Sequence, residues 1–428
     1  MDEYLSELSR CRKCRFCIDT CPTFRLLDNI ENRSPYGRIQ ILKYMLKGFY
    51  DVEDSILHSV YTCLICTQCN VVCGKYGEAL EVANLVREGR SRLSKQILND
   101  SLKTPEANML RNVFNLFLDN VVKKHDPVGL TDKYWTKWAN GLKISGNNEV
   151  ILYTSRMYQM IPYLDQVISL LKKSRGMLRK GVGRTLKIGT WFGMKIIGLK
   201  LNKALVEKTR KIVKAISVIL DKLGVRYGYL YDTDVYSGAL LYDLGLDEHL
   251  KQYVEKVYKI LKKNGVKKVI TIDPHTYHIV RDIYPEYIDE YDLEAVHYIE
   301  VLSNKLDSLK NLVKNKLNYE VVIHDPCTMS RILGVIEEPR LILEDLGIKV
   351  MEPKNNGLYT RCCGGPIEYA YPEFTSIIAT ERVNELKTYS NRIVTSCPIC
   401  LMNFIKHSKE TEVEVYDFSE ILSEILTL

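Results

Sequence analysis

Cys11-Arg12-Lys13-Cys14-Arg15-Phe16-Cys17-Ile18-Asp19-Thr20-Cys21-Pro22 and, further on, Cys63-Leu64-Ile65-Cys66-Thr67-Gln68-Cys69-Asn70-Val71-Val72-Cys73-Gly74 carry one spacing twice, C-x2-C-x2-C-x3-C. Three thiolates on a short looping segment reach three irons of a 4Fe–4S cube, while the fourth points away and serves the other cube of a pair. The spacing therefore predicts one cluster on Cys11, Cys14, Cys17 and Cys73, and a second on Cys63, Cys66, Cys69 and Cys21. Zinc knuckles and disulfides are the alternatives. Zinc sites use two separated ligand pairs, and eight cysteines in this order favour iron–sulfur.

The segment between the runs is patterned for helix, with Ile39, Leu42, Met45 and Leu46, then Ile56, Leu57 and Val60, and Pro35-Tyr36-Gly37 suits a first helical turn. Residues 1–100 are thus predicted to form an α-helical ferredoxin domain, a wire rather than a reaction site. A helical connector follows over about 101–148.

From residue 149 onward, short apolar strands alternate with amphipathic helices, the mark of parallel α/β structure. This region repeats itself. Leu220-Asp221-Lys222-Leu223-Gly224-Val225-Arg226 returns as Leu343-Glu344-Asp345-Leu346-Gly347-Ile348-Lys349, Val269 to Pro274 as Ile393 to Pro398, and Val150-Ile151-Leu152 as Val321-Val322-Ile323. We expect an α+β multidomain protein with a first repeat over 149–305 and a second over 306–428.

The opening strands are further apart than the later matches, so the first repeat holds an insertion near its start. There, from Lys172 to Lys214, fourteen Lys and Arg stand against the single acid Glu207, while the whole chain carries +7. Trp191, Phe192, Ile196, Ile197 and Leu199 interleave with these cations. That mixture fits a docking segment or an interfacial helix on anionic headgroups as well as a solvated helical face. No binding motif accompanies the charge, so nucleic acid is not expected, and Gly181-Val182-Gly183 is a basic loop rather than a dinucleotide fingerprint.

The second repeat concentrates the remaining cysteines: Cys327 after His324-Asp325-Pro326, Cys362-Cys363-Gly364-Gly365, and Cys397-Pro398-Ile399-Cys400. Carboxyl ends of parallel strands form the binding crevice of open α/β sheets, so these five thiols can converge there. Adjacent cysteines suit one tetrahedral zinc poorly, and the two glycines would let backbone approach a bulky inorganic group. A third iron–sulfur centre is favoured, with zinc or a metal-free dithiol as alternatives.

The C-x34-CCG-x32-C-x2-C arrangement behind a two-cluster ferredoxin domain resembles the cysteine-rich (CCG) family: iron–sulfur subunits of heterodisulfide reductases, of anaerobic glycerol-3-phosphate dehydrogenase, and of glycolate and lactate oxidases. The resemblance implies a noncubane 4Fe–4S cluster where members cleave a disulfide. In flavin-linked members it implies a relay between an FAD-containing dehydrogenase and quinone or another carrier.

The first repeat departs from the pattern. Ser155 or Arg156 stands where its opening cysteine should lie, Val235-Tyr236 replaces the cysteine pair, and Asp273-Pro274-His275-Thr276 replaces the closing C-x2-C. Asp273, His275 and His278 could form a hard-metal site, but surface residues of a decayed repeat are the preferred reading. One C-terminal centre is therefore expected, and no side chain is assigned as catalytic.

The reading that follows is an electron-transfer subunit of an oxidoreductase, active with an FAD-containing dehydrogenase or other redox partner. A catalytic heterodisulfide reductase-like subunit and a zinc-containing scaffold are the alternatives. An acidic N-terminus and the lack of an apolar stretch of ~20 residues predict a cytoplasmic protein, with the basic insertion as the candidate for peripheral contact with the membrane's inner face.

Overall fold

The computed structural model describes residues 2–130, 134–146, 148–179, 202–315 and 320–426. The first hundred residues are helical, with Glu3–Ser9, Pro35–Leu46, Asp54–Tyr61, Gln68–Tyr76 and Val82–Leu98 joined by the cysteine loops. Local chemistry sets these boundaries. Ser34 caps Pro35–Leu46 by accepting from the Gly37 amide, and Pro35 loses nothing in a first turn that has no intrahelical acceptor for its nitrogen. The apolar positions read from the sequence, Ile39, Leu42, Leu57 and Val60, are buried together with Tyr61 and Leu93.

The predicted connector is only partly helical. Thr104 caps the helix Pro105–Lys124, which ends with His125 in the left-handed conformation. Beyond it the chain runs in turns, where the buried Asp126 accepts from the Val128 and Gly129 amides and so competes with further helix.

Two parallel sheets follow. Strands β1 (Val150–Tyr153), β2 (Lys268–Thr271) and β3 (Glu294–His297) are ordered β1-β2-β3. Strands β4 (Glu320–Ile323), β5 (Lys349–Met351), β6 (Arg392–Thr395) and β7 (Glu414–Asp417) are ordered β5-β4-β6-β7. Gly228 bridges Ile151 beside β1, in the place that β5 holds beside β4, so one strand order serves both sheets. The edge has shrunk to a bridge because the chain is pinched there: a Cβ on Gly228 would lie 2.9 Å from the Ser145 carbonyl oxygen.

The basic stretch is not a free appendage at its ends. Residues 172–179 complete the helix Met157–Arg179, and from Lys203 the chain forms Lys203–Lys222, which packs against it and against the C-terminal helix Phe418–Ile425. Trp191, Phe192, Lys195, Ile196, Ile197, Leu199 and Lys200, and the Gly181-Val182-Gly183 loop, lie outside the described residues. Among the described residues no helix is long and apolar enough to cross a membrane.

The helical N-terminal part docks on both α/β units. Arg87 pairs with Asp247, and the buried Arg90 donates to the Asp243 carbonyl (2.6 Å) in the first unit. Arg25 pairs with Glu381 (3.1 Å) in the second.

Candidate metal centres

Cys11, Cys14, Cys17 and Cys73 line one small hollow, walled by Pro35, Tyr36, Ile39, Leu80 and Val82. Cys63, Cys66, Cys69 and Cys21 line a second. The fourth cysteines cross over because helices carry them away from their own loops. Cys21 leads directly into the turn Pro22–Arg25, and Cys73 lies within Gln68–Tyr76. The two loops share a backbone trait: Lys13 (φ 61°) and Arg15 (φ 65°) flank Cys14, as Ile65 (φ 49°) and Thr67 (φ 58°) flank Cys66. Left-handed conformations at such residues cost of order 1 kcal/mol or more each and persist where surroundings impose them.

Burial pushes the Cys63 and Cys69 thiols up and Cys17 to about 12. Packed thiols cannot all ionise in apolar ground, so these hollows suit a group that brings its own positive charge, as an iron–sulfur core does. Two buried arginines support the second hollow. Arg38 donates to the Ser59 carbonyl (2.7 Å) and to Thr23 Oγ1 (2.9 Å), and its Nη1 lies 3.7 Å from Cys21 Sγ. Arg90 donates to the carbonyls of Val60, Tyr61 and Cys63. Neither is marked by the sequence, since an arginine beside apolar residues reads as a solvated helix face.

The five C-terminal thiols form one continuous buried group. Cys327 follows β4, Cys362 and Cys363 lie in the loop before the helix Pro372–Lys387, and Cys397 and Cys400 open the helix Pro398–His407 after β6. Cys400 Sγ is 3.3 Å from Cys363 Sγ. Cys362 lies within hydrogen-bonding reach of Cys327, Cys363 and Cys66, while Cys397 reaches Cys400 and His275. Burial raises Cys397, but Cys400 and His275 overcome it and bring the thiol down to about 6. The positive end of its helix acts the same way.

Gly364 and Gly365 do not open space for an inorganic group, as their sequence suggested. A Cβ on Gly365 would meet Ile399 Cγ2 at 2.2 Å, and Gly364 has φ +84° against Thr375 and Ile378. The glycines bring the Cys363 loop onto the helix that carries Cys400.

Cys66 joins the two regions. The Cys362 thiol pulls it down to about 6 against the effect of burial, helped by the Arg331 cation. Arg331 sits in a π-helical turn, Thr328–Ile332, directly after Cys327. Its Nε donates to the Cys66 carbonyl (2.7 Å) and its Nη1 to the Thr360 carbonyl (2.7 Å), tying the second cysteine loop to the loop that carries Cys362. No local pattern in the sequence marked this residue.

In the first α/β unit, Ser155 Oγ accepts from the Ser237 amide (2.8 Å), and Arg156, fully buried, donates to the carbonyls of Asp234 (2.7 Å) and Asp232 (3.0 Å). Asp273 is buried too, against expectation, because it caps the helix Pro274–His278 by accepting from the Thr276 amide. His278 pairs with Asp282 at 2.9 Å, so Asp273, His275 and His278 do not converge. Among the described residues no three His, Cys, Asp or Glu gather as a lone metal ion needs. The thiols line hollows or a chain instead.

His275 is lowered by burial but raised further by Cys397, Asp243 and Asp273, to about 10. With His278 and Asp243 it forms one wall of a cavity of about 310 Å³. Cys327 and Arg331 form the opposite wall, and Thr67 and Asn70 of the second cysteine loop a third.

Fold and thiol arrangement together define an iron–sulfur protein, with a 4Fe-4S dicluster domain matched over residues 7–76 and a cysteine-rich domain over 321–405. Along 99% of its length the chain is 22% identical to the D subunit of the dihydromethanophenazine:CoB--CoM heterodisulfide reductase of Methanosarcina mazei, covering 95% of that protein. It is also 28% identical over half its length to the EtfAB:quinone oxidoreductase of Syntrophomonas wolfei, covering 32% of that protein. A further match is 38% identical to a probable glycolate oxidase iron-sulfur subunit of Bacillus subtilis, over 19% of each chain. By name these relatives belong to oxidoreductase systems and one is an iron-sulfur subunit, in keeping with an electron-transfer role.

Proposed function

We propose that the chain relays electrons along a line from the first cysteine hollow, through the second, to the C-terminal thiol centre, as a subunit of an oxidoreductase. The observation that carries this reading is the contact of Cys66 with Cys362, which joins the second hollow to the C-terminal group without intervening polypeptide. Cys11, Cys14, Cys17 and Cys73 would hold one 4Fe–4S cluster, Cys63, Cys66, Cys69 and Cys21 another, and Cys327, Cys362, Cys363, Cys397 and Cys400 a third centre, noncubane or otherwise. Clusters bound there supply one-electron carriers.

The protein's own contribution is placement. Arg331 and Arg90 clamp the Cys63–Cys69 loop, Arg38 sets a fixed cation beside Cys21, and burial keeps water from Cys362, Cys363, Cys397 and Cys400. In this reading the two sheets are a duplicated cysteine-rich fold over 149–305 and 306–428, behind a ferredoxin domain (1–100) and a connector (101–148). A cytoplasmic FAD-containing dehydrogenase or other redox subunit exchanges electrons at one end, and quinone or a thiol/disulfide couple at the other.

Anaerobic purification from the native host, with mass spectrometry of co-purifying chains and metal analysis, tests this reading. A flavoprotein arriving with about twelve irons is expected from three four-iron centres. About eight irons with one zinc would replace the relay with a zinc-containing scaffold.

A second reading is favoured by the 310 Å³ cavity that reaches Cys327. A disulfide entering there would meet the C-terminal centre directly, with Arg331, His275 and His278 to receive its anionic groups. Thiols added to oxidised protein would then perturb the EPR signal of that centre, and an unchanged signal rejects this role.

A further inference from the structure

The two cysteine loops are alike in spacing and in the left-handed residues around their middle cysteine, yet they face different surroundings. Cys66 touches Cys362 inside the protein, whereas Cys14, its counterpart, is exposed. If the second loop passes electrons through its middle cysteine to an internal neighbour, the first loop presents the same position outward.

What surrounds Cys14 is distinctive. Arg12, Lys13, Arg15 and Phe16 are all exposed, and Arg12, Arg15 and Phe16 form the outer wall of the first hollow. Phe16, 57% exposed, lies 5.7 Å from the equally exposed ring of Tyr76. Lys75 Nζ stands 5.3 Å from the Tyr76 ring and 5.8 Å from that of Tyr359, which extends the surface onto the second α/β unit. Arg12 and Arg15 have carboxylate partners in Glu78 and Glu31. Lys13 and Lys75 meet no carboxylate among the described residues, so the face carries a positive surplus around exposed aromatic rings. Exposed aromatics amid cations are the composition of a recognition surface rather than of ordinary solvated protein.

We propose that this face, from Arg12 to Phe16 with Lys75, Tyr76 and Tyr359, is the port where a redox protein with an acidic rim around its prosthetic group docks and exchanges electrons with the centre on Cys11, Cys14, Cys17 and Cys73. The port rests on the relay reading and adds the place where its partner binds and the charge of that partner. Cations around the exposed cysteine steer an acidic surface, and the rings provide the desolvated contact at the middle.

The test follows stopped-flow reduction of the anaerobically purified full chain by two donors, a reduced small acidic 2Fe–2S ferredoxin and titanium(III) citrate. Wild type is compared with Lys13→Glu/Lys75→Glu and with a control of equal charge change, Lys256→Glu/Lys259→Glu, at exposed positions of the remote helix Asp247–Lys263. At low salt the port variant should lose about tenfold in second-order rate with the ferredoxin and still be reduced to the full extent by titanium, while the control keeps its ferredoxin rate. The tenfold gap should close as salt screens it.

An undiminished ferredoxin rate in the port variant, or an equal fall in the control, overturns the port alone. Failure of titanium to reduce any cluster in wild type overturns the relay and the port together. Loss of binding to phosphatidylserine vesicles in the port variant, with ferredoxin rates intact, would assign the face to a membrane and likewise reject a protein port.

Discussion

After β6 the chain turns through Cys397-Pro398-Ile399-Cys400 into a helix, and after β2 it turns through Asp273-Pro274-His275-Thr276 into another. Both turns place a residue with extended backbone at the N-cap and proline next, and both lead from a parallel strand of the same rank in its sheet. They differ in what the cap does. Asp273 accepts from the Thr276 amide, whereas Cys397 makes no side-chain cap bond. The first unit satisfies the helix; the second leaves the helix short of a cap and gives the position to a thiol. Chemistry and local stability are separated between two units of like architecture.

The sharpest way to break this contrast is to remove thiols from the second unit. Cys362→Ser/Cys363→Ser should take away the C-terminal centre outright, lowering iron by about four per chain while the two N-terminal clusters remain. Ser155→Ala, at the place in the first unit where an opening cysteine would stand, should leave iron unchanged. Iron analysis with EPR reads both, and loss of iron in the Ser155 variant would mean that the first unit still takes part in holding a centre.

The first unit should prove sensitive in stability instead. Arg156 is buried over Trp135, lies 3.6 Å from Asp126 and donates to carbonyls of the segment that carries Asp234. Arg156→Met keeps the apolar stem but strands these groups, and should cost about 3–5 kcal/mol in anaerobic urea melts. A loss under about 1 kcal/mol would show that Arg156 is not what fills the vacated position.

A smaller effect depends on pH. Burial raises the Asp234 carboxyl to about 7, against the lowering influence of Thr154 and Arg156. The native state therefore keeps a proton that the unfolded chain releases near pH 4, so this contribution to stability is complete below about pH 4 and is lost as pH climbs to about 7. Asp126, also raised to about 7, and Asp417, raised to about 6, act in the same direction. Asp234→Asn should flatten the decline between about pH 5 and 7 by no more than about 3 kcal/mol, and an unaltered slope would assign the decline to the other two acids.

How much of this could be read from the chain depends on the range of the interaction. The grouping of eight N-terminal cysteines into two sets is read from the repeated spacing, which within a dozen residues fixes which thiols share a loop and which one points away. The parallel α/β character of the second half is legible from its short apolar strands alternating with amphipathic helices. The junction of Cys66 with Cys362 is not, since the two are joined only by tertiary packing and nothing near either residue signals the other. The same holds for Arg38, Arg90 and Arg331, whose planar guanidinium groups are buried by donating to several carbonyls at once. Asp273 reads as a surface residue because carboxylates usually are; its burial follows from a capping bond that only the fold completes.

The smallest expected effect isolates the cap itself. Cys397→Asp and Cys397→Ala both remove the thiol, and compared in their iron-free forms any difference between them belongs to the helix Pro398–His407. Aspartate at an N-cap is worth about 1 kcal/mol over alanine, through a bond to the amide two or three residues on and through the helix dipole. If the two turns are equivalent, the introduced aspartate should reproduce the bond that Asp273 makes to Thr276, here to the amide of Cys400, and amide exchange across the first turns of the helix should slow about fivefold relative to Cys397→Ala. Equal exchange in the two variants would show that the turn after β6 is not built to be capped, and that the missing bond reflects a different geometry rather than a cap given up for a thiol.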